Sequence, residues 1–277
     1  MSHKLVLEAG RTERQYWRDL WRYRELFYFL AWRDFMVRYK QTLVGVAWSL
    51  VRPVLTMAVL TVVVKLGKLP TGTVPGPLFV FAAMLPWQFF STAMSESGTS
   101  LLNNSNLLTK VYFPRLVMPV SAVIVSLVDF FISGVFLAVL MAIFRFVPPV
   151  QVFFLPLIIL MVFAAAVGTG LWLAALMVKY RDVRFIVQFL VQFGLYASPV
   201  ILKTSMVPEQ WHGLPLRLLY FINPVVGIID GFRWCLLGGD NLIYWPGFLV
   251  STVVVLTVLV SGLWYFRSME RTFADNI

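Results

Sequence analysis

Apolar residues along this chain occur in long runs that are separated by short polar segments. A run of about 20 apolar residues is long enough to cross the roughly 30 Å of hydrocarbon in a bilayer, and six runs qualify. We expect each run to be an α-helix, because lipid cannot satisfy the backbone groups of an open strand edge. The predicted spans are Leu43–Leu66, Leu78–Glu96, Leu116–Phe144, Val152–Val178, Phe185–Leu202 and Trp245–Phe266.

The composition supports the same interpretation. Hydrophobic residues make up 60% of the 277 positions and charged residues only 13%, which excludes an ordinary soluble domain. The sequence therefore predicts an all-α polytopic membrane protein. It has an N-terminal region at 1–42, a membrane domain at 43–266 and a short tail at 267–277.

The basic residues predict the orientation of the spans. With six spans both termini lie on one side, and most of the Lys and Arg residues fall on that side, from Lys4 through Lys179 to Arg271. Basic residues near span ends are retained in the cytoplasm, so both termini are predicted to be cytoplasmic. We attribute the net charge of +10 to this topology and to anionic membrane lipids, not to a nucleic-acid partner.

The N-terminal region contains a basic amphipathic pattern from Arg14 to Leu30. Apolar side chains including Tyr23, Phe27 and Leu30 recur at helical spacing, whereas Arg14 and its basic neighbours occupy another face. This pattern predicts a helix that lies on the membrane surface. The alternative is a helix that packs on the protein's own loops.

A polar segment at 97–115 lies between the second and third spans and has features of a docking element. Asn103, Asn104, Ser105 and Asn106 are predicted to cap a short helix by accepting bonds from its first N–H groups. Leu107, Leu108 and Val111 would give that helix a small apolar face, and Pro114 and Pro119 would end it. Lys110 belongs to the same candidate docking element. The alternative is an ordinary capped turn.

The fifth span combines aromatic rings with amides. Two buried amides in lipid are costly unless they face protein or water, whereas aromatic rings and amides together suit sugar rings and their hydroxyls. Plain helix packing is the alternative. The candidate conduit residues are Phe185, Gln188, Phe189, Gln192, Phe193 and Tyr196.

Ionisable residues at membrane depth are candidate functional residues by default. Asp129 in the third span and Arg52 in the first are predicted at similar depths and could form a pair; otherwise Arg52 is a candidate contact for an anionic headgroup or glycan. Small residues in the fourth span, such as Gly168 and Gly170, predict close helix packing and no chemistry.

The 203–244 segment is too apolar for a free external loop, so we expect it to re-enter the membrane. Prolines and the Gly238–Gly239 pair divide it into two short helices, about Leu214–Ile222 and Val225–Leu237. Asp230 and Arg233 lie i,i+3 on the second helix and could pair. Together with Arg217 they could close a conduit, or they could form a structural plug or a dimer contact.

The sequence offers no catalytic, cofactor or metal site. Cys235 is the only cysteine, His3 and His212 are isolated, and no acid cluster suits an enzyme of lipid-linked substrates. The sequence also lacks the glycine-rich phosphate loop that binds ATP. A bound cofactor is therefore not expected.

Several motifs occur in the order found in one transporter family. They are RYKQTLVGVAWSLVRP from Arg38, LPWQFF from Leu85, NLLTKVYFPR from Asn106, KYRDVR from Lys179, SPVI from Ser198, NPVVGIIDGFRW from Asn223 and the closing MERTFADNI. Over nearly its whole length the chain resembles the type-two ABC permeases that export polysaccharides and polyol phosphates. The permeases of bacterial O-antigen exporters look most similar, with teichoic-acid permeases as relatives.

The resemblance implies a homodimer of six-helix subunits, each bound to a cytoplasmic ATPase subunit. It implies export of a lipid-linked glycan across the bacterial inner membrane, with ATP bound by the partner. It also implies an interface helix at Arg14–Leu30, a coupling helix at Leu101–Val111 and outer gate helices within Leu214–Leu237. Arg52 departs from the family, whose members commonly have Gln before the proline.

Other functions remain open at this point. A teichoic-acid or capsular polysaccharide permease would show the same pattern. A secondary transporter driven by protons through Asp129 would be expected to contain internal repeats, and no convincing repeat is found. A membrane glycosyltransferase would need the acid cluster that the sequence lacks.

Overall fold

The computed structural model describes residues 23–40, 45–105, 107, 113–180, 182–239 and 242–270, and within these ranges it contains helices and no β-strand. The helices are α1 (Arg24–Lys40), α2 (Gly45–Leu66), α3 (Gly76–Asn103), α4 (Val117–Ile143), α5 (Leu155–Lys179), α6 (Val183–Ala197), α7 (Leu216–Tyr220), α8 (Pro224–Leu237) and α9 (Trp245–Met269). Short 3-10 helices occur at Val150–Phe154 and Thr204–Met206.

Four helices of the described part are long and apolar enough to cross a membrane: α3, α4, α5 with its preceding 3-10 turn, and α9. The chain is therefore a multi-pass membrane protein. The predicted third span, Leu116–Phe144, agrees with α4 to within one residue at each end. α2 has 22 residues, which is a suitable length, but its role as a span stays a prediction.

The predicted fifth span is wrong at its C-terminal end. α6 has 15 residues and ends at Ala197, so its length of about 22 Å at 1.5 Å per residue is less than the hydrocarbon thickness. Pro199 is the cause, because proline disfavours helical geometry at the residue before it. Ser198 is accordingly extended, with φ −109° and ψ 155°.

The centre of the bundle is occupied by its least hydrophobic span. α3 has a mean hydropathy of 1.3 and 83% of that window is buried, whereas α9 has a mean hydropathy of 2.1 and only 22% is buried. Lipid accepts apolar side chains readily, but polar ones need protein partners. α3 therefore packs against α4, α5 and α8 and buries Ser91, Ser97 and Ser100 inside the protein.

The glycines predicted to allow close helix packing do so. A Cβ atom added to Gly168 of α5 would lie 2.7 Å from the backbone of Leu259 in α9, and one added to Gly262 would overlap the Gly168 carbonyl oxygen. Any larger residue would push the two backbones apart. The α5 and α9 helices are thus held in direct backbone contact.

α1 differs from the predicted N-terminal helix. The first part of Arg14–Leu30 lies outside the described residues, and the predicted end at Leu30 is wrong because the helix continues to Lys40. No Gly or Pro interrupts it. Tyr23 and Phe27 pack against the core and Leu30 is 4% exposed, whereas Tyr28 and Phe29 are 70% and 62% exposed, so one face of α1 packs on the protein and another presents open aromatic rings.

Candidate functional site

The 97–115 segment begins inside α3. This helix continues seven residues beyond the predicted end at Glu96, to Asn103, so the predicted coupling helix Leu101–Val111 is wrong at its start. Asn104 is the C-cap of α3 with φ −116°, not an N-cap. Its amide nitrogen donates to the Ser100 carbonyl at 2.9 Å, and its oxygen accepts from Arg33 Nη2 at 2.8 Å.

The remaining residues of this docking candidate are only partly described. Asn103 is exposed, and Ser105 and Leu107 have helical backbone. Leu107 packs against the core and its N–H donates to the Asn104 carbonyl at 3.0 Å. Asn106, Leu108 and Lys110 lie outside the described residues.

Arg33 joins α1 to the end of α3. Its guanidinium donates to Asp34 at 2.7 Å as well as to Asn104. Beside these groups is a pocket of about 380 Å³, which is lined by α1, α3 and α4 and includes Glu96 and Ser100. This end of the bundle is therefore polar and only partly filled.

The 97–115 segment ends where Arg115 meets Glu270. The Arg115 backbone N–H donates to Glu270 Oε1 at 3.1 Å, and Arg115 Nη1 donates to the Glu270 carbonyl at 2.6 Å. Glu270 follows α9 directly, and Arg115 lies just before α4. The chain thus brings its C-terminal helix to the same end as α1, as the predicted topology requires.

The candidate conduit residues all lie on one open side of α6. Only Val187 on this helix is buried, and Gly194 on the same side packs so closely against Trp87 that an added Cβ would overlap the indole ring. At 100° per residue the six candidates lie on the opposite side. They are the exposed residues Phe185, Gln188, Phe189, Gln192, Phe193 and Tyr196.

This open side is mostly aromatic. Phe185 is 69% exposed and Tyr196 is 68% exposed. The rings of Phe189 and Phe193 are 4.1 Å apart between centroids. This face of α6 therefore presents neighbouring aromatic rings next to the exposed amides of Gln188 and Gln192. In the described part of the chain no helix of the same subunit covers it.

Arg52 and Asp129 are not joined. Arg52 is exposed on α2, and the ion pairs among the described residues do not include one between these two side chains. Of the two roles considered for Arg52, the pair with Asp129 is therefore not formed within the described part of the chain. Arg52 keeps its other predicted role as a possible contact for an anionic group.

Arg233 occupies a cluster that sequence reasoning missed. It is 2% exposed, and its guanidinium donates to the carbonyls of Pro199 at 2.6 Å, Val200 at 2.8 Å and Leu202 at 3.0 Å. It also lies 3.7 Å from the centroid of the Phe79 ring. These carbonyls lack helical partners because α6 has just ended, so Arg233 satisfies them.

Asp230 and Arg233 do not form a direct ion pair among the described residues, although each side chain is acted on by the charge of the other. The single Thr204 hydroxyl lies 2.8 and 2.7 Å from the two oxygens of Asp230 and donates one hydrogen bond shared between them, while the Arg233 guanidinium donates to backbone carbonyls. The signal that could have revealed this cluster is Pro199, since a proline near the end of an apolar run leaves carbonyls that need a donor.

The two predicted outer helices agree with the structure to different degrees. The second, Val225–Leu237, is confirmed as α8, which is capped by Asn223 and ended by Gly238 at φ 51°. The first is shorter than predicted, since α7 covers only Leu216–Tyr220. Arg217 on α7 donates to the Val207 and Ser205 carbonyls and to Glu209 at 2.9, 3.1 and 2.9 Å.

Comparison with known proteins identifies the family. The model of the "ABC-2 type transporter" family matches residues 25–237. The chain is 28% identical to the "O-antigen export system permease protein RfbA" of Myxococcus xanthus over 263 residues, which cover 94% of this chain and 98% of that protein. It is 26% identical to a protein of the same name from Klebsiella pneumoniae over 247 residues, which cover 88% of this chain and 91% of that protein. This chain is thus a membrane permease component that belongs to the ABC-2 type transporter family.

Proposed function

We propose that this chain is the membrane subunit of an ATP-driven exporter that moves a lipid-linked polysaccharide of the O-antigen type. Transport would run from the cytoplasm across the bacterial inner membrane. The observation that carries this proposal is the open aromatic and amide side of α6. The names of the relatives, which align over most of the chain, support the substrate class.

The open side of α6 requires a partner other than lipid. Gln188 and Gln192 are exposed on α6, which the apolar pattern of the sequence predicts to lie at membrane depth, and an unpaired amide in hydrocarbon costs several kcal/mol on transfer scales, about 4 to 8. A second copy of the chain, with water between the two α6 helices, would remove this cost. We therefore infer a homodimer whose conduit lies between the subunits.

The same side suits a moving glycan. Aromatic rings stack on the apolar faces of sugars, and amides bond to hydroxyls. Phe185, Phe189, Phe193 and Tyr196 would supply repeated weak contacts, so that no single sugar is held tightly. Arg52, exposed on α2, would contact an anionic headgroup or glycan group along the same route.

The energy would come from a separate cytoplasmic ATPase subunit. ABC-2 permeases are transport components, and this sequence contains no phosphate loop. We propose that the ATPase binds the 97–115 segment, with Asn104 fixed to α1 by Arg33. The proposed coupling residues are Asn103, Asn104, Ser105, Asn106, Leu107, Leu108 and Lys110.

The periplasmic end would be closed by α7 and α8. Arg233 and Asp230 fix α8 to the segment that follows α6, and Arg217 fixes α7 to the 205–209 loop. Because α6 and α8 share this joint, opening of a gate would displace the end of the conduit helix as well. We propose that these three residues belong to the outer gate.

Cysteine labelling along α6 tests the conduit. In a chain with Cys235 replaced by serine, cysteines at Gln188, Gln192 and Tyr196 are expected to react with a membrane-impermeant thiol reagent during ATP-driven transport. A cysteine at Val187, which is buried, is the matched control and should not react. Reaction at Val187 with none at Gln188 and Gln192 would reject this side as the glycan path.

A further inference from the structure

Arg115 and Glu270 bond to each other where α4 begins and α9 ends, at the end of the bundle predicted to be cytoplasmic; these two bonds are here called the reciprocal caps. α4 begins at Val117 and its N-cap, Leu116, offers no side-chain bond. The Glu270 carboxylate accepts from the Arg115 backbone N–H at 3.1 Å, just before that helix. In return, Arg115 Nη1 donates at 2.6 Å to the carbonyl of Glu270, the C-cap of α9.

Each contact places the favourable charge at a helix end. The first N–H groups and the last carbonyls of a helix have no intrahelical partners, so an anion is stabilising at the N-terminus and a cation at the C-terminus. Glu270 supplies the anion for α4 and Arg115 the cation for α9. The Glu270 side chain is only 18% exposed, so water competes weakly for these bonds.

This joint connects residues that are 155 positions apart in the sequence. On one side it fixes the exit of the 97–115 segment. On the other it fixes α9, which is in backbone contact with α5 through Gly168 and Gly262. A displacement of Arg115 is therefore transmitted to two membrane helices besides α4.

We infer that Glu270 is a positioning residue for energy coupling: it holds the exit of the 97–115 segment against the end of α9. A push on that segment then moves α4 and α9 together instead of bending the chain at Pro114. The role in coupling rests on the proposed function, whereas the reciprocal caps do not. Glu270 itself would touch neither ATP nor glycan.

Hydrogen exchange tests the caps directly. In Glu270→Ala, the Arg115 amide is expected to exchange about tenfold faster, the ratio that corresponds to about 1.4 kcal/mol. Glu270→Gln keeps an oxygen acceptor and should change exchange less. Ser268→Ala is the matched control, since exposed Ser268 bonds only to the Tyr265 carbonyl of its own helix. The inference would be overturned if the Arg115 amide exchanged at the same rate in Glu270→Ala, Glu270→Gln and the parent protein.

The glycan exported per ATP hydrolysed tests the role in coupling. With the partner ATPase bound, Glu270→Ala is expected to hydrolyse ATP normally but to export at least about fivefold less per ATP, within the range of coupling energies. Glu270→Gln should recover part of this ratio. An unchanged ratio would overturn the inference. Failure of the parent complex to export with ATP would instead reject the proposed function, and hydrogen exchange would still decide about the caps.

Discussion

Arg33 and Arg233, at opposite ends of the bundle, each connect two segments of the chain, but they bond to different kinds of acceptor. Arg233 is buried and bonds to backbone carbonyls of the segment that leaves α6. Arg33 has a side chain that is 33% exposed and bonds to the side chains of Asp34 and Asn104, beside a pocket. Backbone acceptors in a dry site permit one geometry, whereas side-chain acceptors next to open space permit several. The Arg233 contacts are therefore suited to holding one conformation, whereas the Arg33 contacts are suited to a region that changes conformation.

Replacement of Arg233 should have the largest effect on stability. Arg233→Met leaves the carbonyls of Pro199, Val200 and Leu202 without their donor, and each buried unsatisfied group costs about 1 to 3 kcal/mol. We expect a loss of at least about 3 kcal/mol, measured as a fall in thermal stability of the purified protein in detergent. Arg233→Lys is the control and should lose less. A melting temperature of Arg233→Met equal to that of the parent would contradict the cluster.

A smaller effect is expected at Asp230. Asp230→Asn keeps an acceptor for Thr204 but removes the negative charge that acts on buried Arg233, so it should cost about 1.5 to 3 kcal/mol, the value of a hydrogen bond to a charged group. Thr204→Val should cost a similar amount, and the double variant should not add the two losses. Additive losses would show that Asp230 and Thr204 act independently.

The smallest effect on stability is expected at Arg33. A partly exposed charged contact is worth about 0 to 1 kcal/mol, so Arg33→Ala should leave the melting temperature almost unchanged. Glycan export should nevertheless fall, because Asn104 loses its link to α1. Asn104→Leu should show the same pattern. Normal export by both variants would show that this joint has no part in coupling.

The sequence predicts the ends of some helices better than those of others. Long apolar runs such as α4 leave little choice of structure, so the predicted span agrees with the helix to within one residue at each end. The end of α3 was harder to predict because its last two turns are polar, with Ser97 and Ser100 facing protein. Hydropathy alone places the end of the helix where the apolar residues stop.

Arg233 shows a second limit. Pairing by sequence spacing favoured Asp230, three residues earlier, yet the partners of Arg233 are carbonyls more than 30 positions away. Their need for a donor arises from the break at Pro199, and only the fold brings them to α8. By contrast, helical periodicity predicts that the aromatic and amide residues of α6 share one face. It does not predict that this face is exposed.

ATP-driven transport by the purified complex tests the central claim most directly. The permease would be reconstituted in vesicles with its partner ATPase outside and a lipid-linked glycan in the outer leaflet. We expect the glycan to become protected inside the vesicles only when both the ATPase and ATP are present, at a rate that a proton ionophore leaves unchanged. Protection that needs a proton gradient and no ATP would contradict the account and favour a proton-coupled transporter.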